Sequence, residues 1–309
     1  MPLTGSIVIV TYNSAEHIES CLRGLSEPGW ERIVVDNSSR DATFERARAV
    51  TGTVVLPNAE NRGFAAAAQQ GARAARGPLL LFLNPDVVAE PGALDALRAA
   101  VEPQSVAAAG GRLLNSDGTP QVGFAVRRFP TLGSALAEVL LLNRLVPANP
   151  WNRRYRCLDF DYDRAAEVEQ PAGACLLVKR SAWEAVGGFD ESFFPLWFED
   201  VDLCRRLRAG GWTIVYEPRA GFRHAGGHSL ARLAPAEQQL HWYRNLLRYF
   251  RKHHSRLAVV ALRVGILAGM LLRMLATALG ARPHAEGRRA SVRAYARVIR
   301  CCVFGGAAE

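Results

Sequence analysis

The chain has 309 residues, 49% hydrophobic and 22% charged, which is enough apolar material for a full core and excludes a disordered, collagen-like or disulfide-scaffold protein. The net charge is +9, and all of this excess lies in residues 251–309, because residues 1–250 contain equal numbers of basic and acidic side chains. The first 250 residues therefore show no bulk attraction to nucleic acid, whereas the C-terminal segment favours an anionic partner.

Apolar runs and helical patterns alternate four times in the first hundred residues. The pattern predicts strands over 6–10, 32–35, 53–56 and 79–83, and helices over 41–50, 64–75 and 91–101. A first helix, capped by Asn13 and Ser14, is predicted to run to about Leu25. This alternation favours an α/β fold with a mostly parallel sheet covered by helices on both faces. Binding residues are then expected in the polar loops at the carboxyl ends of the strands.

The pattern becomes irregular after Val106 and strongly helical near the C-terminus. Strands are predicted over 173–178 and 213–216, and helices over 181–186, 202–209, 235–281 and 288–300. We therefore predict an α/β domain over 1–234 and a basic, amphipathic helical extension over 235–309, which associates with a membrane or forms an oligomer.

The N-terminus and the cysteines favour a cytosolic compartment. The N-terminus has no basic segment, and its apolar run is too short for a signal peptide. Six cysteines are scattered without a C-x-x-C pair, which favours buried reduced thiols.

Two of the predicted strands end in acidic turns. Asp36 opens an Asp-Asn-Ser-Ser turn, where its carboxylate either accepts from a nucleotide base or sugar or satisfies its own backbone as an Asx-turn. Asp86 ends an Asn-Pro-Asp sequence. It either supplies one ligand to a hard cation that a diphosphate chelates or completes an ordinary turn.

A third acidic cluster, Glu199-Asp200-Val201-Asp202, stands at a predicted helix start after a run rich in aromatic residues. The helix dipole and an i,i+4 pair with Arg206 account for Asp202. They account less well for Asp200, whose carboxylate among aromatic residues would gain the raised proton affinity of a general base.

Two histidines, His224 and His228, stand in a Gly-rich segment after the last predicted strand. They are either metal ligands or hydrogen-bond donors to a phosphate group, or they have a structural role.

Several common motifs are missing from the sequence. No G-x-G-x-x-G follows the first strand, and no G-x-x-x-x-G-K-[ST], G-x-S-x-G or H-E-x-x-H occurs. These absences argue against a dinucleotide-dependent dehydrogenase, a P-loop NTPase, an α/β-hydrolase and a zinc protease.

Six ordered motifs resemble those of family 2 glycosyltransferases. They are VTYN at 10–13, VVDNSSRDAT at 34–43, NRGFAAA at 61–67, FLNPDV at 82–87, GACLLVKRSAWEAVGGFDESFF at 173–194 and FEDVDLCRRLRAGGW at 198–212. Within that family the pattern is most similar to bacterial rhamnosyltransferases. The segment NPWNRRYR at 149–156 resembles the linker of enzymes acting on N-acetylglucosaminyl-diphospho-polyprenol.

The resemblance implies a GT-A fold, an inverting mechanism and a nucleotide-sugar donor. The implied donor-binding residues, including Asp36 on a pyrimidine base, are Thr11, Tyr12, Asn13, Asp36, Asn61, Arg62, Asn84 and Asp86. Asp86 and His224 are the implied ligands of Mg²⁺ or Mn²⁺. Relatives often carry Asp-x-Asp where this chain has Asn84-Pro85-Asp86, so metal dependence stays open. Asp200 corresponds to the catalytic base.

Three residues next to the implied base are candidates for contact with the acceptor. They are Trp197, Phe198 and Glu199. The two aromatic rings would stack on the apolar face of an acceptor sugar, with packing in the protein core as the alternative reading.

These observations predict an inverting transferase that moves L-rhamnose from dTDP-rhamnose to a lipid-linked or polysaccharide acceptor in cell-envelope glycan synthesis. Two alternatives stay open at this point. One is a family member that uses UDP-galactose, UDP-glucose or UDP-N-acetylglucosamine. The other is a catalytically silent, membrane-bound partner subunit.

Residues 257–281 form a nearly continuous apolar stretch with basic residues on both sides. A bilayer span is disfavoured, because Arg263 and Arg273 lie inside it and each costs about 2.5–3.5 kcal/mol at mid-bilayer. We predict a peripheral, interfacial segment on the cytoplasmic face of the cell membrane, facing anionic lipid, with a homo-oligomer interface as the alternative.

Overall fold

The computed structural model describes residues 3–226, 234–280 and 287–304. The strands are β1 Gly5–Thr11, β2 Trp30–Asp36, β3 Thr53–Pro57, β4 Leu79–Leu83, β5 Val87–Ala89, β6 Val106–Leu114, β7 Val126–Arg127, β8 Ala166–Glu167, β9 Gln170–Pro171, β10 Cys175–Lys179 and β11 Thr213–His224. The helices are α1 Ile18–Arg23, α2 Thr43–Ala49, α3 Phe64–Ala74, α4 Ala93–Ala100, α5 Leu132–Val139, α6 Leu142–Leu145, α7 Pro150–Tyr155, α8 Arg180–Ala185, α9 Glu199–Ala209, α10 Pro235–His253, α11 Arg256–Ala278 and α12 Arg288–Val298, and a short π-helix, Ile299–Val303, follows.

The described strands include a nine-stranded sheet in the order β3-β2-β1-β4-β10-β6-β11-β5, with β8 paired to β11. Strands β1, β2, β3, β4, β6 and β11 run in one direction, whereas β5, β8 and β10 run against their neighbours. The predicted α/β fold with a mostly parallel sheet is therefore confirmed. Buried side chains of β1, β4 and β10 lie at its centre.

The predicted helix cap at Asn13 and Ser14 is wrong. Helix α1 begins at Ile18, and Asn13 adopts a left-handed backbone with φ of 51°. The Asn13 side chain accepts a hydrogen bond from the Arg40 N–H at 2.7 Å, and the Ser14 N–H donates to Thr43 Oγ1 at 2.7 Å. The Asn13 side chain and the Ser14 N–H therefore stabilise the segment that follows β2, while the Ser14 carbonyl accepts from the N–H groups of His17 and Ile18 at the start of α1.

Strand β6 was not predicted, because its sequence consists largely of alanine and glycine. Small residues are required there. A Cβ on Gly110 would lie 2.2 Å from Pro171 Cβ, and one on Gly111 would lie 2.6 Å from the Phe222 ring. The absence of a strong hydrophobic signal therefore reflects close packing.

The described residues form two compact units. Of these residues, unit 1 contains 3–129, 156–195 and 199–226, and unit 2 contains 130–155, 196–198, 234–280 and 287–304. Within unit 2, α11 packs against α5, α10 and α12. The predicted domain boundary at 234 stays a prediction, since unit 2 also includes two earlier segments of the chain.

Candidate active site

Polar residues in unit 1 follow three neighbouring parallel strands, β2, β1 and β4. Thr11 at the end of β1 is in register with Asp36 at the end of β2, and Ile9 is in register with Leu83 in β4. The carboxyl ends of these strands therefore meet at one edge of the sheet, which is where ligands bind in such folds.

Asp36 is buried at this edge and held by three donors. Its Oδ1 accepts from the Thr11 hydroxyl at 3.0 Å and the Ser39 hydroxyl at 2.5 Å. Its Oδ2 accepts from the Ser39 N–H at 3.2 Å. The turn predicted as the alternative role of Asp36 is therefore present, since Asp36 accepts from the Ser39 N–H and hydroxyl. Oδ2 keeps a second lone-pair direction for a further donor.

Asn37 is a residue that the sequence interpretation passed over. Its amide nitrogen donates to Asn61 Oδ1 at 2.8 Å. Its oxygen accepts from the Arg62 N–H at 3.0 Å and from the Asn58 amide at 3.1 Å. Asn61 Oδ1 also accepts from the Gly63 N–H. Asn37 therefore anchors the 58–63 loop beside Asp36. Its position directly after Asp36 in the sequence could have identified it as a site residue.

The remaining donor-site candidates, which follow β1 or belong to the 61–63 loop, differ in exposure. Tyr12 is half-buried, and the Asn13 N–H donates to Ser39 Oγ at 2.8 Å. The Arg62 guanidinium is exposed and donates to Gln70 Oε1 at 3.3 Å. Asn13 therefore shapes the loop, whereas Arg62 presents its charge to solvent.

Asp86 and His224 approach each other because β5 and β11 pair with His224 opposite Val87. His224 Nε2 lies 3.5 Å from Asp86 Oδ1, and both side chains are almost fully buried. Asn84, whose carbonyl accepts from the Val87 N–H at 3.3 Å, forms the turn that leads to β5. The structure thus brings together the two predicted metal ligands.

Gln121 determines which nitrogen of His224 carries the proton. Its amide N–H donates to the His224 carbonyl at 2.9 Å, so its oxygen faces His224 Nδ1 at 2.8 Å. Nδ1 therefore donates, and Nε2 presents a lone pair toward Asp86. The Phe124 ring stacks on the imidazole at 5.4 Å between centroids. No sequence signal singled out Gln121, since 103 residues separate it from His224.

Asp86 and His224 fit a divalent cation. Burial lowers the pKa of His224, although the Asp86 carboxylate opposes this shift, so a neutral imidazole faces the carboxylate. Two acceptors then point at each other without a proton between them, an arrangement that a cation would relieve. Described residues form no cluster of three or more His, Cys, Asp or Glu with metal-binding geometry, and His228 lies outside them. A cation chelated by a diphosphate needs only one or two protein ligands.

Asp200, in the first turn of α9, is held by N–H donors. Its Oδ2 accepts from the Gly173 N–H at 2.9 Å and the Gln170 amide at 3.2 Å, and its Oδ1 accepts from the Val201 N–H at 2.8 Å. A Cβ on residue 173 would lie 3.0 Å from Asp200 Cβ, so glycine permits this approach. Gly173 and Gln170 are further site residues that the sequence interpretation did not identify.

Glu199, the residue before Asp200, is almost fully buried. Burial and the adjacent Asp200 charge raise the pKa of Glu199 well above its usual range. Its Oε2 has no hydrogen-bond partner within the described part of the chain. Asp202 is buried in the predicted ion pair, with its Oδ2 at 2.8 Å from Arg206 Nε. The three acids of this helix therefore have three different environments.

Trp197 and Phe198 belong to unit 2, whereas Glu199 belongs to unit 1. Both aromatic residues adopt left-handed backbones, with φ of 76° and 72°. Phe198 is buried and lies 5.9 Å from the rings of Trp242 and Tyr249, whereas Trp197 is half-buried. The packing alternative therefore accounts for the contacts of Phe198, and the acceptor role of Trp197 stays a prediction.

Comparison with known proteins identifies relatives over most of the chain. The family model for glycosyl transferase family 2 matches residues 6–160, and that for glycosyl transferase family group 2 matches 159–302. N-acetylglucosaminyl-diphospho-decaprenol L-rhamnosyltransferase of Mycobacterium tuberculosis is 34% identical over 268 residues, covering 81% of this chain and 84% of that protein. Rhamnosyltransferase WbbL of Escherichia coli is 24% identical over 232 residues, covering 72% and 83% of the two chains.

Solved structures share the fold at low sequence identity. Mannosyltransferase PcManGT from Pyrobaculum calidifontis, in complex with GDP-Man and Mn²⁺, superposes with a TM-score of 0.57 at 16% identity, covering 99% of this chain and 88% of that chain. S. aureus TarS 1–349 in complex with UDP-GlcNAc has a TM-score of 0.52 at 16% identity, covering 100% and 93%. The predicted GT-A fold is therefore confirmed.

Proposed function

Because the chain belongs to glycosyl transferase family 2 and is a glycosyltransferase, we propose that it transfers L-rhamnose from dTDP-rhamnose to an N-acetylglucosaminyl-diphospho-polyprenol, with inversion at C1. The observation that carries the sugar and the acceptor is the 34% identity to a rhamnosyltransferase of that specificity over 84% of its length. Polysaccharide acceptors of the cell envelope belong to the same proposal.

In this mechanism Asp200 is the catalytic base. Inversion requires a base that takes the proton of the acceptor hydroxyl as that oxygen attacks C1, while the nucleotide diphosphate leaves from the opposite face. Gly173 and Gln170 engage Asp200 Oδ2, and Oδ1 accepts from the Val201 N–H alone within the described residues. Oδ1 therefore keeps a lone-pair direction and is the atom that takes the proton. A positioned base contributes about 10²–10⁴-fold to such a reaction.

Asp36 and the Asp86–His224 pair serve the donor in this mechanism. The free direction of Asp36 Oδ2 suits the N3–H of thymine or uracil. Asp86 and His224 would hold a Mg²⁺ or Mn²⁺ ion, which supplies positive charge against the diphosphate leaving group. The exposed Arg62 guanidinium supplies a further positive charge for the donor phosphates.

Transfer from labelled donors tests the proposal. Purified full-length protein is incubated with Mg²⁺ or Mn²⁺, a short-chain N-acetylglucosaminyl-diphospho-polyprenol and either dTDP-rhamnose, UDP-galactose, UDP-glucose or UDP-N-acetylglucosamine. We expect acceptor-dependent transfer from dTDP-rhamnose at the highest kcat/KM. Preference for a UDP-sugar would refute the rhamnose assignment. Absence of transfer and of nucleotide binding with every donor would refute the enzyme assignment and support the silent partner subunit.

The Asp200→Asn variant tests the base. It keeps the size of the side chain but removes the proton acceptor, so we expect transfer to fall by at least about 10²-fold while donor affinity changes little. Donor binding is measured by calorimetry in the absence of acceptor. Turnover close to that of the wild type would place the base elsewhere.

A further inference from the structure

Helix α11 exposes a stripe of apolar side chains. Its most exposed large side chains are spaced three or four residues apart in the first half and include Leu257, Val260 and Val264, which are 81%, 56% and 61% exposed. In the second half, Leu271 and Leu275 are 51% and 57% exposed. Residues at this spacing lie on one helical face, so the stripe extends along a helix of about 34 Å.

The opposite face of α11 is covered within unit 2. Leu262, Ile266 and Met270 are fully buried against the neighbouring helices. Arg273 also points to this side, where its Nη1 donates to the Val139 carbonyl at 2.6 Å and the Gly269 carbonyl at 3.0 Å. Arg273 therefore does not interrupt the exposed stripe.

The surroundings of the stripe are strongly basic. Glu286 is the only acid between residues 238 and 304, a range that contains thirteen arginine and lysine residues. Helix α12 exposes Arg288, Arg289 and Arg293. An apolar surface in such a field is complementary to a partner that offers both hydrocarbon and negative charge.

Two other occupants fit these observations less well. A second copy of the chain would bring two strongly basic segments together, which like-charge repulsion opposes. A transmembrane orientation would carry the adjacent α10 and α12 into hydrocarbon with their arginines, although α11 alone is long and apolar enough to cross a bilayer.

We propose that α11 lies flat on an anionic lipid bilayer, with its exposed stripe inserted between headgroups and acyl chains and the flanking arginines on the lipid phosphates. The contact does not depend on which sugar is transferred. Together with the proposed function, it makes the chain a peripheral protein on the membrane surface where a polyprenol-linked acceptor is presented.

Vesicle binding of the full-length protein tests this surface. Val264, Leu271 and Leu275 are replaced together by serine, and the matched control replaces Val54 and Val122, which are 50% and 51% exposed in unit 1. On vesicles of phosphatidylcholine and phosphatidylglycerol we expect the stripe variant to bind at least about tenfold more weakly, and the control to bind like the wild type. Binding should also weaken with added salt and on pure phosphatidylcholine.

Further measurements separate the alternatives. Circular dichroism and the transfer rate with a water-soluble acceptor should match the wild type, which separates failure of this proposal from failure of the proposed function. Equal vesicle binding by the stripe variant and the wild type would overturn the proposal. It would also be overturned if the substitutions dissociated an oligomer in sedimentation equilibrium, or if salt and alkaline carbonate failed to release the wild type from membranes.

Discussion

Replacing Glu199 by glutamine should stabilise the protein relative to the wild type, and this gain should be larger at neutral pH than at acidic pH. Glu199 is 7% exposed, and burial and the Asp200 charge raise its pKa well above the usual range. In the unfolded chain the same carboxyl ionises near its ordinary pKa. Between these two pKa values the unfolded state releases a proton that the folded state retains, so the free energy of unfolding falls as the pH rises.

The magnitude of this effect follows from proton linkage. Each pH unit in that interval costs about 1.4 kcal/mol, because the two states differ by one bound proton. Glutamine has nearly the same shape and does not ionise, so it removes this slope. While Glu199 stays protonated in the folded protein, the advantage of Glu199→Gln therefore grows by about 1.4 kcal/mol with each pH unit.

Urea unfolding at pH 5, 6 and 7, followed by circular dichroism, measures the difference. Glu184→Gln is the matched control, since the Glu184 side chain is 64% exposed on α8 and should give curves parallel to the wild type. Parallel pH dependence of the free energy of unfolding in the wild type and Glu199→Gln would refute the reasoning.

Three further predictions follow from contacts of single residues. Asp202→Asn should destabilise the fold by about 3 kcal/mol in urea unfolding, because it leaves the Arg206 guanidinium, 19% exposed, without its carboxylate; a loss below 1 kcal/mol would contradict this. Gln121→Leu should weaken Mn²⁺ binding about 10–100-fold, because leucine does not fix the His224 tautomer. Electron paramagnetic resonance of free Mn²⁺ measures the affinity, and an unchanged affinity would show that His224 is not a metal ligand or that Gln121 does not orient it. Gly173→Ala should lower kcat by about an order of magnitude at unchanged stability, because the new Cβ would lie 3.1 Å from Asp200 Oδ2; a wild-type kcat would show that this carboxylate tolerates displacement.

The strands of the parallel half could be predicted because their signal is local. Strands β1, β2 and β4 contain buried apolar runs, β3 at the sheet edge is a partly exposed apolar run, and each prediction falls within its observed strand. Strand β6 could not be predicted in this way, since the close approach of Pro171 and Phe222 selects glycine at positions 110 and 111 rather than large apolar residues. Strand β11 ends at His224, well beyond the predicted Tyr216, and its register shifts between Glu217 and Gly221.

The candidate site was predictable to the extent that polar residues follow predicted strands. Asp36 and Asp86 were identified in this way, and the structure adds Asn37, which anchors the 58–63 loop beside Asp36, and Gln121, which orients His224 beside Asp86. Asn37 and Gln121 act through side-chain amides, a residue type that local patterns assign to turns and surfaces. Burial and the Asp200 charge raise the pKa of Glu199, and the sequence did not indicate this shift, because burial is a property of the folded environment and not of adjacent residues in the chain.

The sequence by itself determined the strand–helix alternation, the polar loops at the strand ends and the location of the excess positive charge. These features depend on residues close together in the chain, and local periodicity reports them. Tertiary structure alone decided that Gly173 and Gln170 hold Asp200, that Gln121 orients His224, and that Arg273 turns away from the exposed face of α11. Each of these contacts joins residues 27 to 134 positions apart, so only the packing of distant segments creates it.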